Sequence, residues 1–292
     1  MQKLTYENPL GQRVEFGLTR PYVLEKIAGV GSEDASLLTS EAAFVDGKSF
    51  SGLYLGDREV TATVHIYGKN GKALYENRQK LMAMLSSGQS REGKKGRLEY
   101  QNDHIKVWIP AVVKKGPQPS SKKGGYFTSV QIVFYCPDPC WRAMEQQIGK
   151  IAYVDGGMRF PLNIDVVDGV RFGARGYSGV LYNDGDTPAP VDVTISGPAV
   201  NPEVRKMETG EYIRVRRQLY EGDTLRISTD PYDMDVSITR ASGMVEPAFG
   251  YLDLTSTFFR LDPGENKLQY FSEDDNTSSR IIVSSYSRYG GV

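Results

Sequence analysis

The side chains suited to catalysis or metal binding are few and scattered in this chain. It carries two histidines, His65 and His104, and two cysteines, Cys136 and Cys140. A serine–histidine–aspartate relay needs a buried, oriented imidazole. His65 falls mid-strand opposite the apolar set, and His104 follows Asp103 at a hairpin tip, so both read as structural. The cysteines stand four residues apart, a spacing zinc accepts, but a zinc site needs a second pair of ligands. No second cysteine pair or neighbouring histidine is present, and two buried or half-buried thiols beside Trp141 are the better reading. Glu273, Asp274 and Asp275 offer oxygen donors without the alternating spacing of a calcium loop, and read as a solvated turn. No Walker A motif, dinucleotide fingerprint or GxSxG elbow occurs. Carboxylates are abundant, but no spacing selects the pair a glycosidase would use.

Lys114, Lys115, Lys122 and Lys123 flank or lie within the loop Gly116–Gly125. No aromatics alternate with them, as a single-strand nucleic-acid binder would want. They read either as a solvated loop or as contacts to a neighbouring acidic subunit. The formal net charge of −1 argues against a duplex-DNA-binding role, which needs a basic face.

The elements that would position these residues are mostly strands. At 292 residues, with 39% hydrophobic and 24% charged, the chain has apolar material for one or two cores and is too weakly charged for a disordered one. Turn residues recur between β-branched and aromatic runs, the pattern of a mainly β protein. Val60–Tyr67, Leu98–Tyr100, Ile105–Ile109 and Ser129–Tyr135 alternate as strands. Asn70-Gly71 and Gly88 bracket an expected helix from Lys72 to about Ser87, with Leu74, Leu81, Met82 and Leu85 as its apolar stripe. The lysine-bearing loop reads as the end of a long, extended hairpin. Pro137 and Pro139 stop the last strand of this half, and a short helix is expected over Trp141–Gln147. About nine strands follow, among them Leu162–Val167, Val191–Ser196, Thr224–Ser228, Phe258–Leu261 and Ile281–Ser285, which suggests a β-sandwich. No run approaches the length of a membrane span, and the start of the chain lacks the apolar run of a signal peptide.

The order of the turn motifs carries more information than any one of them. Phe134-Tyr135-Cys136-Pro137-Asp138-Pro139-Cys140-Trp141 resembles the close of the first domain in the distal tail proteins of siphophages of Gram-positive hosts. Tyr182 to Val191 resembles that family's entry into its second domain. Ile195 to Pro202, Thr209-Gly210-Glu211 and Glu221 to Leu225 follow at fitting distances. Phe259 to Asn266 and Tyr286 to Val292 are similar to its closing strands, and Val45-Asp46-Gly47, Arg58 and Arg78 fit the first domain. Cys140 stands where the family often has a second aromatic.

The resemblance implies residues 1–142 as a ring-forming β-sandwich or barrel-like domain with one packed helix and an extended hairpin. Residues 143–292 would form a galectin-like β-sandwich whose last strands return toward the first domain. The implied function is structural and not enzymatic, with no cofactor, catalytic residue or metal. The protein would form a homo-hexameric hub ring between the major tail tube protein and a trimeric tail-tip protein. Receptor-binding proteins or side fibres would attach outside, and genomic DNA would pass through without specific binding. It would be assembled in the host cytoplasm and reside at the virion tail tip, without membrane insertion. A carbohydrate-binding adhesion module and a cell-wall hydrolase are the competing readings.

Overall fold

The computed structural model describes residues 2–32, 35–119, 126–151, 153–154, 175–176, 178–273 and 279–292. The chain folds as two compact units, Met1–Met144 with Tyr289–Val292, and Glu145–Arg288. The first unit contains strands β1 (Lys3–Glu7), β2 (Arg13–Phe16), β3 (Tyr22–Ala28), β4 (Ala35–Ser40), β5 (Ser49–Leu55), β6 (Arg58–Tyr67), β7 (Gly96–Gln101), β8 (Lys106–Pro119), β9 (Phe127–Cys136) and β10 (Trp141–Ala143). Its helix is α1 (Gly71–Met84).

Alternation sets the inner face of this unit. Val60, Ala62, Val64 and Ile66 of β6 and Val130, Ile132 and Phe134 of β9 are buried, and the residues between them are more exposed. Each of the valine, isoleucine and phenylalanine side chains stabilises the fold by about 1.5–3 kcal/mol through lost apolar hydration. The strands run in the order β2-β1-β7-β8-β9-β6-β3 with antiparallel pairing. A parallel bridge between Gly17 and Val23 joins the two ends of that order, so the sheet closes like a barrel. The long β8 makes this closure possible. Its first part pairs with β7, its second part with β9, and register shifts after Val113 and Lys115 bend it between them. Together β8 and β9 form the expected extended hairpin, whose tip at 120–125 lies outside the described residues.

Asn70 starts α1 by accepting the Ala73 N–H at 2.8 Å. The helix ends at Met84, earlier than expected, and a 3₁₀ turn over Ser87–Gly93 follows. Leu81 and Leu85 are buried against the barrel, but Met82 is 43% exposed. It lies one residue, about 100° around the helix, from Leu81 and so leaves the buried stripe.

The helix expected over Trp141–Gln147 does not form. β10 pairs there instead, Arg142 opposite Trp108 and Ala143 opposite Val107, which gives the backbone a strand partner that sequence spacing does not reveal.

The second unit contains β11 (Gln147–Lys150), β12 (Tyr153–Val154), β13 (Arg175–Gly176), β14 (Ser178–Asn183), β15 (Asp192–Ser196), β16 (Ala199–Val200), β17 (Glu203–Lys206), β18 (Tyr212–Arg214), β19 (Gln218–Leu219), β20 (Thr224–Ser228), β21 (Asp235–Thr239), β22 (Val245–Pro247), β23 (Gly264–Phe271) and β24 (Arg280–Ser285). Two sheets, β11-β24-β15-β20-β21-β22 and β14-β23-β17-β18, share one core that includes Leu181, Val193, Val204, Ile213, Ile227, Leu268 and Val283. This is the expected sandwich. The expected strand Leu162–Val167 lies outside the described residues. Phe258–Leu261 is not a strand: Phe259 and Leu261 are buried, but only a single bridge from Leu261 to Ala189 pairs the backbone. Alternating burial alone therefore does not make a ladder.

Candidate assembly surfaces

The turn motifs occupy positions where backbone geometry requires them. Arg58 is 3% exposed at the start of β6. It donates to the carbonyls of Pro139 at 2.6 Å, Gly29 at 2.8 Å, Gly31 at 2.5 Å and Gly290. One guanidinium thus ties the end of β3, the turn after β9 and the last residues of the chain. In the second unit Asn183 accepts from Gly185 N–H at 3.1 Å and donates to Thr187 C=O at 2.8 Å. A Cβ on Gly185 would lie 1.8 Å from the Arg288 carbonyl oxygen, so no other residue fits.

The candidate reactive groups are built into this scaffold. Cys136 and Cys140 are buried free thiols. Burial pushes Cys136 up to about 12, only partly offset by Arg58, so the thiol stays protonated at neutral pH. His65 stands 3.2 Å from Glu25 on the outer face of the barrel and packs edge-on against Phe127. His104 lies in the hairpin turn, where Asn102 accepts its backbone N–H at 2.8 Å. Among the described residues no group of three or more His, Cys, Asp or Glu is arranged to hold a metal ion, and no helix is long and apolar enough to cross a membrane. Glu273 accepts from Asn201 at 2.6 Å, and Asp274 and Asp275 lie outside the described residues.

Of the four lysines, Lys114 is held by Glu59 on the neighbouring strand, which raises its pKa, chiefly through that hydrogen bond. Lys115 is exposed on the same strand, and Lys122 and Lys123 lie outside the described residues.

An exposed apolar feature of the first unit goes unassigned by the sequence. Among the described residues β4 and β5 pair only with each other, as a two-stranded arm. Leu37, Leu38, Phe50, Leu53 and Tyr54 on this arm are all more than half exposed, and Phe44 at its tip is fully exposed at 108%. An isolated hairpin in water is at best marginally stable, and an apolar patch of this kind marks an interaction surface. The available signal was a cluster of apolar residues around Val45-Asp46-Gly47 in a stretch without a helical or strict strand period.

The second unit has its own outward face on the β14-β23-β17-β18 sheet. Tyr182 is 51% and Phe271 39% exposed. Arg205 lies over both Phe271 and Tyr212, at 5.0 and 5.4 Å from the ring centres. Glu203 beneath is buried and paired with Arg205 and Arg214.

The chain thus combines a barrel-like unit and a β-sandwich unit, and both match models of phage tail proteins. Residues 10–136 match the model of the phage tail protein RIFT-related domain, and residues 184–287 match that of the siphovirus-type tail component, C-terminal domain. No curated protein sequence matches the chain. Among solved structures it is similar to the Dit protein (gp 19.1) of phage SPP1, described as a paradigm of the hub adsorption apparatus in phages infecting Gram-positive hosts. That likeness has 13% identity, 98% coverage of both chains and a TM-score of 0.65. It is also similar to chains of the phage P2 baseplate in its activated conformation, with Ca and with Sr, at 13% identity, 97% coverage of both chains and a TM-score of 0.54. The chain belongs to the siphophage distal tail protein family. It is a mainly β component of the phage tail.

Proposed function

We propose that six copies of this chain close into a hub ring between the tail tube and the trimeric tail-tip protein, with no catalytic activity of its own. The observation that carries the ring is the exposed apolar arm on the first unit, which among the described residues has no partner strand beyond its own hairpin. A ring needs heterologous contacts that close, and a surface of this kind supplies one side of such a contact. Residues 1–142 build the ring in this reading, and residues 143–292 face outward toward receptor-binding proteins or side fibres. Lys115, Lys122 and Lys123 meet an acidic neighbour, with Lys114 already engaged by Glu59. DNA leaves through the lumen, which carries few lysines or arginines so that phosphates are not retained.

Negative-stain microscopy of the purified protein, with light scattering for mass, tests this. Six-fold rings are expected. A stable dimer with a shared cleft, or a ring with a strongly basic channel, would count against it.

The outward sheet face with Tyr182, Tyr212 and Phe271 favours a second reading, direct glycan binding by the outer unit. Aromatic faces stack on sugars, and Arg205 and Gln269 add hydrogen-bonding groups in the same row. Retention on host cell-wall polysaccharide, lost in Tyr182→Ala, would support that reading; equal retention of both proteins would remove it.

A further inference from the structure

The first unit carries a cavity that matches the arm tip in size, polarity and charge. It has a volume of about 390 Å³ and is lined by Pro21, Tyr67, Gly68 and Ala73, with Arg20 and Lys69 contributing charge. The walls are rigidly held. Tyr67 stacks on Phe127 with ring centres 5.4 Å apart, and Arg20 covers the Tyr67 ring at 4.7 Å. Asn77 of α1 donates to the Tyr67 carbonyl at 2.8 Å. A Cβ on Gly68 would lie 2.3 Å from the Leu74 backbone nitrogen, so the helix approaches this strand end as closely as glycine allows. Pockets of about 300–1,000 Å³ take small ligands or anchor side chains, and this one lies at the small end.

The arm tip supplies the complement. Phe44 is fully exposed, so its ring is not buried in its own chain. Its φ of +64° is a conformation that glycine or asparagine would adopt more cheaply, at a cost of about 1–3 kcal/mol for a bulky residue. A phenylalanine kept there is best explained by use of its ring. Glu41 and Lys48 neutralise each other at 2.7 Å below the tip, which leaves Asp46 as its net charge. Among the described residues neither Arg20 nor Lys69 has a carboxylate partner.

We propose that Phe44 of one subunit inserts into the Tyr67–Ala73 cavity of a second copy of this chain, with Asp46 set against Arg20 and Lys69. Knob and hole lie on different surfaces of one chain, so the contact is heterologous and propagates around a ring. This inference rests on the hub reading and names the contact that would close the ring.

The test uses full-length Phe44→Gly and Ala73→Trp proteins, with mass read by light scattering. Phe44→Gly removes the ring and the backbone strain together, so its melting temperature should equal or exceed that of the unchanged protein. Its assembly should weaken by about thirtyfold or more, the loss of one buried aromatic anchor. Ala73→Trp fills the hole, and circular dichroism checks that it folds. Each variant alone should be monomeric. Mixed, they should form one-to-one heterodimers and stop there, because the mixture contains one intact knob and one intact hole per pair. Asp46→Lys should weaken assembly, and Lys69→Glu in the same chain should restore it, which tests the cavity without filling it. Rings persisting in both Phe44→Gly and Ala73→Trp would overturn this contact and leave the hub reading standing. An unchanged protein that remains monomeric at every concentration would overturn the hub reading and this contact with it.

Discussion

The acids whose pKa the fold shifts differ between the two units, and that difference separates their responses to pH. In the first unit the central polar group is a cation, Arg58, surrounded by backbone carbonyls. Its shifted acids are neutral ones: burial pushes Tyr6 and Cys136 up to about 12, and Tyr22 upward as well. In the second unit the acids held below their usual range are carboxylates, Asp223, Asp253 and Glu246. Burial alone would raise Asp223, but hydrogen bonds from Tyr220 N–H, Arg240 and Ala241 N–H outweigh it and hold the carboxyl below its usual range. Thr255 and Arg216 hold Asp253 down, and Arg240 and Tyr251 do so for Glu246. A scaffold joined this way can be weakened at one unit while the other is left intact.

The strongest way to break the comparison is Arg58→Ala. It leaves several buried carbonyls without a donor and should cost the first unit about 4 kcal/mol or more. Trp108 and Trp141, the only tryptophans, both lie in this unit, so tryptophan fluorescence during urea unfolding reads it selectively. Unchanged fluorescence midpoints would show that the arginine is dispensable. Gly185→Ala is the counterpart in the second unit. Its methyl group would overlap the Arg288 carbonyl, and about 3 kcal/mol should be lost. Far-UV circular dichroism should record this loss while the tryptophan signal keeps its midpoint.

Titration sharpens the contrast. The second unit's carboxylates have folded pKa values below their unfolded ones, so the stability they supply is complete above about pH 4 and is lost as pH falls further. The first unit's tyrosines and Cys136 have folded values above their unfolded ones. Their contribution is complete below about pH 8.5 and is lost as pH rises from there toward about 12. Melting curves at pH 3 and pH 10 should therefore destabilise different units, and a common response would erase the distinction. Asn70→Ala tests a smaller part of the first unit. Removing the cap of α1 should cost about 1 kcal/mol.

Much of the β framework was legible in the sequence. β6 and β9 were readable because every second residue is apolar and faces one core. The turns around Asn183-Asp184-Gly185 and Glu221-Gly222-Asp223 were readable because few residue types tolerate such geometry. β10 was not, because its partner is Trp108, more than thirty residues earlier. Phe258–Leu261 misled for the converse reason: its side chains are buried as in a strand, but its backbone bonds go elsewhere. The lysines drew attention by charge, and the structure adds that Lys114 pairs with Glu59 on the neighbouring strand, a cross-strand contact that spacing does not show.

By itself the sequence determined the mainly β class, the absence of a motif for known chemistry and the ordered turns that mark the family. These depend on local rules, two-residue periodicity and glycine geometry. Only the tertiary structure decided that β2 and β3 meet to close a barrel, that Arg58 reaches the last residues of the chain, and that the leucines and Phe50 of β4 and β5 remain in solvent. Burial is a property of distant contacts. Val60, Ala62, Val64 and Ile66 become core in β6, whereas Phe50, Leu53 and Tyr54 of β5 stay exposed on an arm.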